Sequence, residues 1–148
     1  ARDDQAMPVA LADPDGNMVG LVPKGHEGIV GIAVLLRVGD FAAHERFWSH
    51  VMQFERMAER TWRCGDSLIV LAEQGRVERT TEYRAPGYRY TTVQIHDCVL
   101  EYEGIVARGG ESAMPPRLLG DTVRYAFVMD PDGNHIEISQ RASLTGSL

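Results

Sequence analysis

The sequence Asp-Pro-Asp-Gly-Asn occurs twice, as Asp13-Pro14-Asp15-Gly16-Asn17 and as Asp130-Pro131-Asp132-Gly133-Asn134, two identical stretches 117 residues apart. Each is a tight-turn sequence. Proline pre-sets φ near −65°, the aspartates bond nearby backbone N–H groups, and glycine accepts a positive φ. Strand-like runs flank both copies, Val9 to Ala12 and Val19 to Val22 in the first, Val123 to Met129 and Ile136 to Ser139 in the second. Both therefore read as β-hairpins. Two unrelated hairpins sharing a common turn are one account of the repeat; a larger repeated unit is the other, and it demands further internal similarity.

A second echo at 57 residues supplies it. Ala33 to Asp40 and Tyr90 to Asp97 are each a β-rich run closing on an aspartate. After Asp40, residues Phe41, His44, Phe47, Trp48, Val51 and Met52 make a stripe at helical spacing, apolar except for His44, with Asp40 placed as N-cap. After Asp97, residues Val99, Leu100, Tyr102, Ile105 and Val106 repeat the pattern more briefly and end at Gly109-Gly110, a fitting C-cap. The strand candidates between the helices are Phe54 to Trp62, Ser67 to Leu71 and Arg76 to Tyr83. A Pro115-Pro116 segment follows the second helix, and then come Thr122 to Met129 and His135 to Ser139. The resulting order is βαβββ followed by βαββ(β). Residues 25–142 are expected to form one two-half module, residues 1–24 the closing hairpin of a preceding one, and residues 143–148 a tail. The initial Ala1 reads as a processed start or a cut through a longer chain.

Composition narrows the function. Fifteen Lys and Arg against 21 Asp and Glu leave a net charge of −6, and no basic run exceeds a pair. Neither nucleic acid nor an anionic membrane surface is an expected partner. The longest apolar run, Ile29 to Leu36, is too short to span a bilayer. The expected compartment is the cytoplasm, with Cys64 and Cys98 as plain thiols, because no metal-knuckle or disulfide spacing is present. Phosphate-binding glycine loops and serine-hydrolase elbows are also absent from the sequence. His44 and His50 are six apart on one helix, share no face, and are expected at the surface.

Four stretches resemble the vicinal oxygen chelate superfamily, which includes glyoxalases, bleomycin-resistance proteins and extradiol dioxygenases. They are Val38-Gly39-Asp40, Phe47 to Phe54, Ile95-His96-Asp97 and Asp130 to Ile138. The third and first close a strand, the second matches an aromatic-rich helix end, and the last is the most specific. The resemblance implies an α+β fold in which two βαβββ half-modules curl into a shared open barrel. It also implies four metal-ligand positions, one on the first and one on the last strand of each half. Carried onto this sequence they fall on Ala33, Val70, Tyr90 and Glu137, and only Glu137 matches a family ligand. The expectation is therefore no cofactor, with a divalent metal such as Fe, Mn, Zn or Ni as the alternative.

The resemblance points to a small organic ligand held in a cleft, with a homodimer or an intramolecular partner module completing the assembly. Glu137 and Tyr90 are the candidate catalytic groups, and Tyr90, Arg124, His135 and Trp62 the candidate substrate contacts. Period-two alternation puts His135 and Glu137 on one face, where a shielded carboxylate and an imidazole can handle protons. Alternatively, Glu137 bonds Tyr90 or Arg124 and His135 lies at a hairpin rim. Tyr90 either offers its hydroxyl to a ligand or simply packs, and Trp62 either stacks on a flat ligand or fills the core. A metal-dependent lyase, isomerase or dioxygenase, or a degenerate module kept for oligomerisation, are the competing functions.

Overall fold

A computed structural model describes residues 9–14, 17–75, 79 and 90–148. The expected first hairpin pairs β1 (Val9–Ala12) with β2 (Met18–Leu21). The first half then runs β3 (Ala33–Val38), α1 (Phe41–Arg46, continued by a π-turn over Phe47–Val51), β4 (Glu55–Ala58), β5 (Thr61–Cys64) and β6 (Ser67–Glu73). The second runs β7 (Tyr90–Gln94), α2 (Cys98–Ala107), β8 (Glu111–Leu119), β9 (Val123–Met129) and β10 (His135–Arg141), followed by the short α3 (Ala142–Thr145). The two sheets have one topology. Their orders are β3-β6-β5-β4 and β7-β10-β9-β8, with the first strand of each half parallel to its last. The fold is thus α+β, built from two βαβββ halves.

Local chemistry explains why each half turns from strand to helix where it does. Asp40 Oδ1 accepts the Ala43 N–H at 3.0 Å, and Asp97 Oδ1 accepts those of Val99 and Leu100 at 3.0 Å each, satisfying donors that a helix start leaves orphaned. The α1 stripe packs as its spacing predicts, with Phe47, Trp48, Val51 and Met52 buried. On α2 the buried line is instead Cys98 and Ile105 with Tyr102 partly covered, while Leu100 and Val106 face outward. The apolar residues there fill more of the helix than its single contact face needs.

Two strand expectations are revised, and a third lies outside the described residues. Phe54 to Trp62 is two strands, because Glu59 and Arg60 form the turn between β4 and β5. Pro115 and Pro116 lie inside β8, an edge strand whose register shifts around them; an edge tolerates residues that cannot donate to a ladder. The candidate strand Arg76 to Tyr83 falls outside the described residues apart from Arg79.

Both halves share one core. Val38, Ile69, Leu71, Phe47, Trp48 and Met52 from the first half join Val93, Ile105, Ala126, Val128, Ile136 and Ile138 from the second in a single buried cluster. Arg108, at the end of α2, donates from Nε to the Val51 carbonyl at 2.8 Å and so ties the second helix to the first. The helix-covered face of each sheet is therefore committed to packing, and the opposite face of each is left outside that core.

Candidate ligand-binding face

The parallel pairing of β7 with β10 assembles the candidate residues. His135 stands opposite Tyr90 and Glu137 opposite Thr92, while on the other side β9 sets Met129 beside His135 and Phe127 beside Glu137. Side chains alternate along each strand. Since Val93, Ile136, Ile138, Ala126 and Val128 face the core, Tyr90, Thr92, His135, Glu137, Tyr125 and Phe127 share the opposite face. Phe127 is the hub there; it and His135 are buried, 6% and 8% exposed, while Tyr90 and Glu137 are partly exposed. The Phe127 ring meets Tyr90 edge-on at 5.0 Å between centroids, His135 at 5.9 Å and Tyr125 at 6.1 Å. These are favourable aromatic geometries. Glu137 Oε2 accepts from Thr92 Oγ1 at 3.3 Å, so the strand neighbour, rather than Tyr90 or Arg124, holds its carboxylate. A carboxylate offers about four lone-pair positions, and one long bond leaves most of them for a ligand donor.

The strand that carries Glu137 is anchored by the Asp-Pro-Asp-Gly turn. Asp130 Oδ1 accepts the backbone N–H groups of Asp132 (3.0 Å) and Asn134 (2.8 Å), and its Oδ2 accepts Asn134 Nδ2 at 2.9 Å. Burial pushes the Asp130 carboxyl above the usual range, against these hydrogen bonds and the nearby His44. Asp132 reaches further. Its Oδ2 accepts the Gly39 N–H at 3.0 Å and lies 3.0 Å from His44 Nε2, fixing the turn to the start of α1. His44 is 0% exposed and so is not the expected surface residue, whereas His50 is exposed. The polar residue in the apolar stripe is the receptor for the turn of the other half.

Two predicted contacts lie elsewhere. Trp62 is fully buried, donates from Nε1 to Ser49 Oγ at 2.8 Å, and pairs with the core residue Ile69. It fills the first half's interior and presents no ring to a ligand. Arg124 pairs with Gln140 and shares the face of Ala126 and Val128, on the helix side of the sheet. There it works against the burial that raises the Cys98 thiol to about 11. Phe127, Tyr125 and Thr92 belong with the site although the sequence reading did not select them; the alternation in Tyr125-Ala126-Phe127-Val128 was the available signal.

The four family ligand positions do not make a metal centre. Ala33 and Val70 carry no donor atom, and they lie on the first sheet, opposite Leu68 and Leu35. Tyr90 and Glu137 lie on the second. No group of three or more His, Cys, Asp or Glu residues is placed to hold a metal ion among the described residues. One carboxylate and one phenol do not fit the N/O ligand set that such a cation needs.

A separate cleft of about 340 Å³ opens between the halves, lined among others by Met52, Gln53, Phe54, Arg63, Gln94 and Glu101. Neither Tyr90 nor Glu137 lines it. Gln53 closes the first helix in the left-handed region (φ 57°), and the corresponding close of α2 is Gly109 (φ 94°).

Comparison with known proteins agrees with this architecture. The profile of the Glyoxalase/Bleomycin resistance protein/Dioxygenase superfamily matches residues 30–138. The chain belongs to this superfamily. A glyoxalase-related enzyme from Fulvimarina pelagi is similar in structure, with a TM-score of 0.59 and 16% identity over 75% of this chain and 87% of that one. TnmS3, an antibiotic-binding protein from Streptomyces sp. CB03234, has a TM-score of 0.58 and 19% identity over 74% and 93%. A glyoxalase I mutant from Zea mays has a TM-score of 0.59 and 19% identity, over 74% of this chain but only 43% of that one. At these identities the structures share the fold alone. No curated protein sequence matches significantly. No helix among the described residues is long and apolar enough to cross a membrane.

Proposed function

We propose that this chain is a small-molecule-binding module that needs no metal, with its ligand resting on the β7–β10 face against the partly exposed Tyr90 and Glu137, which the buried Phe127 and His135 back from within the face. The observation that carries the reading is the pairing of an aromatic wall with a lightly bonded carboxylate at positions where the family's metal donors are otherwise replaced by Ala33, Val70 and Tyr90. Such a surface suits a flat organic molecule presenting a hydrogen-bond donor or amine to Glu137, with the Tyr90 hydroxyl as a second polar handle. An antibiotic-binding protein among the structural neighbours gives a precedent for this use of the fold. Fold alone does not fix function, so the residues of the face carry the weight.

The partner in this reading is a second copy. Val30 and Ile32 just before β3 and Leu35 within it give an exposed apolar strip at the strand that edges the first sheet among the described residues, beside the donor-less Ala33 position. The two free thiols, Cys64 and Cys98, suit a reducing cytoplasm. Sedimentation at increasing concentration tests the dimer: Leu35→Glu should yield monomers, and an unchanged assembly would remove this strip from the account.

Thermal melting against a panel of aromatic amines and aromatic hydroxyl compounds tests the binding. A ligand at 100 times its Kd stabilises the folded state by about 2.7 kcal/mol, which is about 5–10 °C in a domain of this size. Glu137→Gln and Tyr90→Phe should keep the unliganded melting point and lose most of the shift. A panel without effect, or a shift indifferent to both substitutions, would sink the reading.

A further inference from the structure

The β1–β2 hairpin carries an apolar face built for a cover. Its register, Val9 with Leu21 and Ala12 with Met18, is that of Ala126 with Ile138 and Met129 with His135 displaced by 117 residues. The same displacement maps Val9, Leu11, Val19 and Leu21 onto Ala126, Val128, Ile136 and Ile138. In the second hairpin these four residues lie under α2 and are 0–2% exposed. In the first they are 46–57% exposed. The opposite face maps differently. Ala10, Ala12, Met18 and Gly20 stand where the second hairpin has Phe127, Met129, His135 and Glu137. The first hairpin therefore retains the residues that seat a helix and lacks those that build the ligand-binding face.

The turn supports the same equivalence. Asp13 N donates to the Asn17 carbonyl at 2.9 Å, Asp13 Oδ1 accepts Asn17 N at 2.8 Å, and Oδ2 accepts Asn17 Nδ2 at 2.9 Å. Asp130 and Asn134 make the same three bonds at 3.0, 2.8 and 2.9 Å. Hairpins that match in turn, register and apolar face are copies of one structural element, and an isolated two-stranded hairpin is only marginally stable in water.

We propose that β1–β2 is the closing hairpin of a further βαβββ half-module, and that Val9, Leu11, Val19 and Leu21 seat the amphipathic helix of a strand–helix–strand segment like β7–α2–β8. In the second half that segment supplies a strand parallel to β10, a helix over the shared apolar face, and a strand antiparallel to β9. The same segment over β1–β2 would pair both hairpin edges and cover all four residues. This proposal is independent of ligand binding.

This 148-residue chain extended with a second copy of residues 90–117 ahead of Ala1 tests it, because that junction restores the 117-residue period. Hydrogen exchange of the β1 and β2 amides should slow at least tenfold relative to the unextended chain. Val19→Asp with Leu21→Asp in the extended chain should return the original rates. Equal exchange in the extended and unextended chains would overturn the proposal. So would protection in the unextended chain that grows with protein concentration and vanishes in the same double variant, since the face would then belong to a second copy.

Discussion

The hairpins β1–β2 and β9–β10 share a turn, a register and a pattern of apolar positions, yet one leaves its apolar face about half exposed and the other forms the centre of a sheet. The bonds that close the turn are local, because Asp13 and Asp130 each bond the asparagine four positions on. Burial needs partners from elsewhere, and α2, β7 and β8 supply them to one copy. Local sequence thus specifies the hairpin, while its contribution to stability is set by what packs on it.

Equivalent substitutions in the two copies should separate these contributions. Ile138→Ala empties a fully buried site and should cost about 2–5 kcal/mol, whereas Leu21→Ala should stay within about 0.5 kcal/mol in the unextended chain. Urea melts of both would measure it, and equal costs would break the comparison. Asp130→Ala removes the buried acceptor of three bonds and should cost about 1–3 kcal/mol; Asp13→Ala, in an exposed turn, should cost about 0.5–1 kcal/mol. The helix ends offer the mildest contrast. Gln53→Gly should stabilise by about 1 kcal/mol by relieving the left-handed backbone, and Gly109→Ala should destabilise by a similar amount. If Gln53→Gly instead weakens the protein, its side chain in the cleft between the halves matters more than the strain.

Much of the fold was readable because its signals are local. Both capping aspartates, both turns and the strand–helix order follow from residues within a few positions of one another. The β4–β5 turn escaped because Glu59-Arg60 contains neither glycine nor proline, and β8 escaped because prolines are unwelcome in all but an edge strand. His44 was misplaced because its partner, Asp132, is 88 residues away and belongs to the other half. The site divides in the same manner. Glu137 and His135 share a face by simple alternation, but Tyr90 joins them only through parallel pairing, which spacing alone does not reveal. Trp62 and Arg124 were assigned to the cleft because both were placed on strands, whereas which parity faces the helices depends on tertiary packing.

The central claim is ligand binding on the β7–β10 face without a metal. Its most direct test is the melting-point shift produced by a hit from the aromatic panel, measured with and without excess EDTA on protein purified in the absence of chelators. The account predicts the same shift in both conditions and its loss in Glu137→Gln. A shift abolished by EDTA and restored by a divalent cation would contradict it.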